Sequence, residues 1–309
     1  MANARIVLVL SENWTLVSPR DPLALVRIAC EAEQAGVDTV MLSEHVVLGP
    51  DSSAAGVMGN PRDYAAPGNQ DPATPWLDSA VLAAAISART STLRVALAAV
   101  ITPLRHPLLL AKQLATLDLL AAGRLVVQPT VSWSEHEYRA LGVPFRERGA
   151  ILDEQLEAMT AAWSGSPASF HGGHFSFDDV YLEPKAHRPG GPAMWFGGQR
   201  MHEPLLRRLV RYGSGFHPFG SPTDEELAML RERMAVAGRD PGQLEMIGGI
   251  RGRFPDASST ASIDEALEQV PAQLEAGYTA ICFKPSMYTD DPEAVPDLCR
   301  HVVRSIAQM

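Results

Sequence analysis

Eight short apolar runs recur along the chain, at residues 6–10, 39–42, 93–100, 125–127, 193–196, 214–217, 246–250 and 279–283. Several are apolar almost without a break, the pattern of parallel strands covered on both faces. Helical patterns lie between them, over 22–35, 108–121, 147–163, 203–211, 223–237 and 263–276. Asp21 is placed to cap the first, with Pro22 at its opening position, and Gly36, Gly123 and Gly277 stand where helices should stop. This succession predicts an α/β chain folded as a (β/α)8 TIM barrel. A doubly wound open sheet competes, but its GxGxxG loop does not follow the first strand.

A length of 309 residues would also suit two modest domains. No linker, repeat or composition shift divides the chain, so residues 1–309 are read as one barrel domain. The surplus length sits in two loop insertions, about 46–76 and 164–192, both expected at the C-terminal face where barrel active sites lie. With 26 Lys+Arg against 36 Asp+Glu, the net charge of −10 argues against nucleic acid or anionic membrane as a partner. Three cysteines without CxxC spacing, no secretory leader and no membrane-length apolar stretch lead to the expectation of a soluble cytoplasmic protein.

Residues able to carry chemistry cluster at the ends of the apolar runs. Ser43-Glu44-His45 closes the second run. An imidazole there points into the barrel mouth and can move a proton near neutral pH, although a histidine satisfied by nearby backbone fits equally well. Ala98 and Ala99 end the third run with side chains small enough for a flat ring to approach, ordinary packing being the plainer account. Gln128, Thr130 and Ser132 alternate after the fourth, as hydrogen-bonding groups on one face or as part of a capped turn. Gly197-Gly198-Gln199-Arg200 follows the fifth, where glycine N–H groups, a helix start and a guanidinium can hold an anion. Trp14, Met58, Tyr64 and Trp133 suggest an apolar or aromatic substrate wall. Metal chemistry finds little support: HExxH is absent, and His171 and His174 lack a third ligand at useful spacing. Lys284, after the eighth run, reads as a snorkelling or phosphate-contacting lysine, with a Schiff-base nucleophile as the alternative.

In their order these segments resemble the bacterial luciferase-like monooxygenase superfamily across essentially the whole chain. The resemblance rests on Ser43-Glu44-His45, on Ala98-Ala99-Val100 with Arg105-His106-Pro107, and on Gly123-Arg124-Leu125 leading to Trp133 and Glu137-Tyr138. Phe145-Arg146-Glu147-Arg148-Gly149 and Trp195-Phe196-Gly197-Gly198 continue it. It implies His45, with Glu44 beside it, as the catalytic group, and a non-prolyl cis peptide near Ala98-Ala99 under a flavin ring. It also implies a cofactor phosphate toward Gly197-Gly198-Gln199, with His217 in the substrate wall. The chain departs from the pattern after the fourth strand, where a glycine-rich turn is replaced by Gln128-Pro129-Thr130-Val131-Ser132. The cofactor implied is reduced FMN or the 8-hydroxy-5-deazaflavin coenzyme F420, acting on a small organic molecule by oxygenation or by hydride transfer. A separate flavin or deazaflavin reductase and a homodimer are the implied partners. A non-catalytic flavin-binding barrel, a lyase using Lys284 and a metal-dependent hydrolase are the competing functions.

Overall fold

A computed structural model describes residues 4–309. Eight parallel strands close the barrel: β1 (Arg5–Val9), β2 (Thr39–Leu42), β3 (Arg94–Ile101), β4 (Leu125–Thr130), β7 (Ala193–Phe196), β8 (Gly215–Phe216), β9 (Glu245–Gly249) and β10 (Ala280–Phe283). They neighbour one another in that order, and β10 returns to pair with β1. The principal helices packed around them are α1 (Pro22–Gln34), α2 (Ser79–Ser87), α3 (Pro107–Leu120), α5 (Arg148–Ser164), α6 (Glu203–Tyr212), α7 (Asp224–Val236) and α10 (Val295–Ala307). Short helices α4 (Glu135–Ala140), α8 (Ile263–Leu267) and α9 (Val270–Glu275) complete the set. The expected single barrel is the observed fold.

Local chemistry sets the helix ends. The Asp21 carboxylate accepts the Ala24 N–H at the start of α1, with Pro22 at its first position. Thr223 and Glu226 form a reciprocal capping box on α7. The pattern over 263–276 predicts one helix, and the structure breaks it into α8 and α9. Pro271 has no N–H to give and its ring crowds the carbonyl a turn earlier, so the helix restarts around it. Helices α2 and α10 are absent from the expectation. The first, Ser-Ala-Val-Leu-Ala-Ala-Ala-Ile-Ser, is too uniformly apolar to show a helical stripe.

The second insertion departs from its expected place. It follows α5 rather than a strand, so it leaves from the N-terminal end of the barrel and belongs to a helix-to-strand connection. There it forms an antiparallel hairpin, β5 (Ala168–His171) with β6 (Ser176–Val180), whose base is tied by Lys185 to the carbonyls of Ala162 and Gly165. Its tip runs back outside the barrel, where the Glu154 carboxylate accepts the N–H groups of Gly173, His174 and Phe175. The insertion at 46–76 does follow a strand, β2, and lies across the mouth.

Side chains alternate in and out along each strand. Leu8, Val40, Leu97 and Phe283 face out to the helices. Val7, Val9, Met41, Ala96, Val126, Trp195, Ile247 and Cys282 pack inside. Two residues earlier on their strands the inward positions are charged: the Glu245 carboxylate accepts from Arg94 at 2.7 and 3.0 Å, from Arg5 at 2.6 Å and from Trp195 Nε1 at 2.9 Å. Burial alone would raise the Glu245 pKa, but hydrogen bonds and charge from Arg94, joined by Arg5, hold it below the ordinary carboxylate value. This cluster seals the N-terminal end. Glu245→Ala leaves Arg94 and the indole N–H without their acceptor, and a loss of about 3 kcal/mol in unfolding free energy is expected by denaturant titration. A loss under about 1 kcal/mol would show that the cluster contributes little.

Candidate active site

Continuing the alternation by one more inward position brings Ser11, Ser43, Gln128, Gly197, His217 and Lys284 to the C-terminal mouth. The β1, β2 and β10 half of this ring is covered. Ser11 and Ser43 hydroxyls lie 2.9 Å apart, and Ser43 donates to Glu12 Oε1 at 2.8 Å. The other oxygen of Glu12 accepts the Ala65 N–H at 2.9 Å, and Lys284 Nζ donates to the Asp63 carbonyl at 2.7 Å. These bonds fix a strap, residues 60–65, over the mouth. Arg62 adds an ion pair to Asp290, and Asn60 donates to the carbonyls of Asp256 and Ser259. Tyr64 enters against the interior cluster, and Lys284 Nζ sits 5.4 Å from its ring centre and 5.6 Å from that of Trp14. Burial pulls the Lys284 pKa down to about 8, against the opposing charges of Glu12 and Asp63. The lysine neither snorkels nor presents a free amine: it is wholly buried and acts as a latch for the strap.

The β3, β4, β7 and β8 half is built differently. The Ala98–Ala99 peptide is cis, and the β3–β4 register shifts beside it, between Ala98 and Val100. Gln128 is the register partner of Ala98. The Gln128 carboxamide oxygen lies 3.0 Å from His217 Nδ1. A carboxamide oxygen can only accept, so Nδ1 carries the proton and Nε2 keeps its lone pair. Burial lowers the His217 pKa to about 4, leaving the ring neutral at ordinary pH. Gly197 fits here because it lacks a side chain: a Cβ would strike the His217 carbonyl oxygen and crowd Gln128 Nε2. Thr130 is half-buried at the end of β4. Gln199 and Arg200 are exposed beyond Gly198. The helix start expected to complete their anion site is not available, since α6 begins only at Glu203, where the His202 side chain already accepts the Leu205 N–H.

His45 stands between the halves with its side chain 8% exposed. Its Nδ1 lies 3.3 Å from Glu137 Oε2, a carboxylate that is fully buried in α4. Glu137 Oε1 accepts the Val46 N–H at 2.6 Å, and Oε2 also accepts from Ser132 Oγ at 3.2 Å. Ser132 therefore turns toward Glu137, and its φ of 55° lies in the left-handed region. With Nδ1–H given to Glu137, His45 Nε2 is left to exchange a proton. Trp76 and Trp133 meet the imidazole edge to face, with ring centres 5.1 and 5.6 Å away, and Trp14 meets Trp76 at 5.3 Å. Glu44 does not touch His45. Its oxygens are taken by Arg105 at 2.7 and 3.0 Å, the Ile101 N–H at 2.9 Å and Ser79 Oγ at 2.9 Å.

The structure thus gathers His45, Trp14 and Trp133 at one locus, and Ala98, Gln128, Gly197 and His217 along the adjoining rim. Met58 lies half-exposed in the same excursion as Tyr64. Sequence reading did not single out Glu137 or Trp76 as site residues. The Ser134 cap on α4, which brings Glu137 inward, was the available signal for the first. His171 pairs with Ser176 and Asp178 and His174 with Glu147, and among the described residues no three His, Cys, Asp or Glu side chains converge on one point. The rim fits a planar cofactor: its floor is the small side chain of Ala98 beside the cis Ala98–Ala99 peptide, and Gly197 leaves the approach open.

Comparison with known proteins agrees with this architecture. An uncharacterised protein of Mycobacterium tuberculosis is 36% identical over 167 residues, covering 53% of this chain and 58% of that one. The chain's match thus spans a little over half the length of that relative. The FMNH(2)-dependent dimethylsulfone monooxygenase of Pseudomonas putida is 35% identical over 124 residues, 39% of this chain and 34% of that enzyme. In fold, an F420-dependent secondary alcohol dehydrogenase superposes with a TM-score of 0.70 at 16% identity, over 98% of this chain and 99% of that one. The sequence profile of one family matches residues 5–294, and by that match the chain belongs to the luciferase-like monooxygenases.

Proposed function

We propose that the protein is an oxidoreductase that binds a reduced flavin on the β3, β4, β7 and β8 half of the mouth and acts on a small apolar molecule between that ring and His45. The observation that carries the reading is the His45–Glu137 pair inside a tryptophan wall, beside a floor of small residues. The sequence likeness to an FMNH2-dependent enzyme supports reduced FMN, and coenzyme F420 is the second cofactor to be tested because the alcohol dehydrogenase of the same fold uses it. Either cofactor, when bound, supplies the electrons: FMN for reaction with oxygen, the deazaflavin as hydride.

The chain's own residues do the rest. Ala98 and Ala99 support the ring, and Gly197, Gly198, Gln199 and the exposed Arg200 receive the phosphate. Glu137 holds His45 Nδ1–H, so Nε2 gives a proton to the reacting group or takes one from it. Trp14, Trp76 and Trp133 and the strap keep water from the reacting centre. A reduced flavin taken up from solution calls for a separate reductase, and a homodimer belongs to the same reading.

Titration with oxidised and reduced FMN and F420 is the direct test, with micromolar or tighter binding of one reduced form expected. Failure of both to bind below the high micromolar range would sink the reading. His45→Ala should retain cofactor binding while kcat on a substrate found by screening falls about a hundredfold or more; unchanged turnover would favour a non-catalytic flavin-binding barrel. His217 adds a pH signature. Its folded pKa of about 4 lies below the ordinary 6.5, so the unfolded chain takes up the proton first. Stability is therefore whole above about pH 6.5, falls by about 3 kcal/mol as the pH drops to about 4, and is level in this respect below that. Guanidinium titrations of the parent and His217→Gln across this range should diverge; parallel curves would contradict the buried neutral imidazole.

A further inference from the structure

The long excursion after β2 closes on itself before it reaches the far side of the mouth. The Ala55 N–H donates to the Gly68 carbonyl at 2.6 Å and the Gln70 N–H to the Ser52 carbonyl at 2.7 Å, so residues 55–68 form an Ω-loop with a defined neck. The neck is firmly held. Ser52, Gly68 and Gln70 are buried, the Gln70 carboxamide oxygen accepts Trp76 Nε1–H at 3.1 Å, and Ser134 Oγ before α4 donates to Asp51 at 3.2 Å. The strap, at the other end of the loop, is fastened differently. Its N–H groups bond within its own turn or to side chains, and among the described residues none bonds to a barrel-strand carbonyl: Arg62 and Asp63 donate to Asn60, Tyr64 to Asp63 and Ala65 to Glu12. The remaining links are Asn60 to the Asp256 and Ser259 carbonyls, Arg62 to Asp290, Arg251 to Asp63, and Lys284 to the Asp63 carbonyl. One partner in each ion pair is open to water, Asp290 at 47% and Arg251 at 62%, and pairs of that kind hold weakly. Tyr64 is the large apolar side chain that the loop sends inward, since Val57 is 68% exposed and Met58 half-exposed. Gly56 and Gly68 stand at the neck with φ of 95° and 79°, and nothing lies within 4 Å of where a Gly56 Cβ would sit.

We propose that this Ω-loop is a lid that swings about its neck, lifting Tyr64 and the strap from the β1, β2 and β10 half of the mouth and refastening them through Asp63 and Ala65. That the opened half admits the substrate rests on the reading of the mouth as an oxidoreductase site; the motion itself does not. Opening breaks side-chain contacts and ion pairs but no sheet hydrogen bond, so it demands far less than unfolding of the barrel. Glu12 serves both states. One of its oxygens keeps the Ser43 hydroxyl, while the other releases or recaptures the Ala65 N–H. Lys284 reports the motion. With the lid down its amine is wholly buried and donates to the Asp63 carbonyl, and with the lid up it faces water.

The test reads Lys284 and the strap amides in the full-length chain, with no cofactor or substrate added. The chain has three lysines, Lys112, Lys185 and Lys284, and Lys112 is exposed. Brief acetylation by N-acetoxysuccinimide, followed by peptide mass spectrometry, therefore compares a covered amine with an open one. The lid predicts that Lys284 is modified about a hundredfold more slowly than Lys112 yet measurably under native conditions, and that amides 62–65 exchange hydrogen at least about tenfold faster than those of β10. Asp290→Asn, which releases Arg62, should raise Lys284 modification and 62–65 exchange by about three- to tenfold, with β10 and the neck amides of Ala55 and Gln70 unchanged. Arg251→Ala, at an exposed position, should act in the same sense through Asp63 and covers the case in which Asp290→Asn does not fold. Lys284 and strap amides that react only as slowly as β10, in the parent and in both variants, would make the strap part of the barrel's cooperative unit and overturn the lid. Acceleration that extends equally to β10 or the neck overturns it as well, because the tie would then hold the barrel rather than a loop. A chain that opens as expected but binds neither FMN nor F420 overturns the proposed function and leaves the lid standing.

Discussion

Each strand of a closed barrel turns every second side chain inward, and an eight-stranded barrel has space there for side chains and little else. Here that constraint produces three layers. Arg5, Arg94 and Glu245 close the N-terminal end, a middle of Val7, Met41, Ala96, Val126 and Ile247 excludes water, and Ser11, Ser43, Gln128, His217 and Lys284 continue the inward positions to the mouth. The middle cannot be made polar without stranding groups that have no partner. Chemistry is thereby displaced to the ends, and the lower end is already occupied by its ion cluster. The mouth is then divided by the strap into a covered half on β1, β2 and β10 and a half on β3, β4, β7 and β8 that the strap leaves uncovered.

Two glutamates decide how the divide between those halves is used. Glu44 and Glu137 are both almost fully buried, but their partners differ in kind. Glu44 faces a guanidinium in bidentate geometry together with a backbone N–H and a hydroxyl, so its charge is compensated and its lone pairs are occupied. It joins the ends of β2 and β3 to the start of α2, and breaking such a pair typically costs about 3–5 kcal/mol. Glu137 meets backbone N–H groups, a serine hydroxyl and an imidazole, which is the group among these that can change its charge. A proton arriving at His45 Nε2 therefore creates a local ion pair with Glu137, whereas one arriving near Glu44 finds no comparable partner. The adjacency of Glu44 and His45 in sequence conceals this division of labour.

Much of the fold was legible because parallel buried strands leave continuous apolar runs, and seven of the eight fell within two residues of the observed bounds, the fourth strand running three residues further into the polar Gln128-Pro129-Thr130. Helix α2 was not, since its exposed Val81 face is as apolar as its buried Leu82 and Ile86 face and no stripe results. The hairpin after α5 was recognised as an insertion but assigned to the wrong end, because its place depends on whether a helix or a strand precedes it. At the site, His45, Gln128 and Gly197 could be read from strand ends. Glu137 and Trp76 come from a short helix and from the far end of a long excursion, so their approach to His45 depends on chain paths that no local period encodes.

The replacement of a glycine-rich turn after β4 shows how the two working groups of the mouth become connected. Pro129 has no N–H for the ladder, and it stands opposite Val100, where the β3 register has already shifted. Backbone donors are thus scarce where the resemblance would have supplied them, and side chains take their place. Gln128 offers its carboxamide to the rim. Ser132 adopts a conformation that glycine would hold more easily, and the bond from its hydroxyl to Glu137 offsets that cost. One short segment therefore supports the carboxamide that meets His217 at its start and the carboxylate of the His45 pair at its end. A glycine-rich turn would allow close approach at this point, but it would leave Glu137 without the Ser132 bond and the rim without the Gln128 amide.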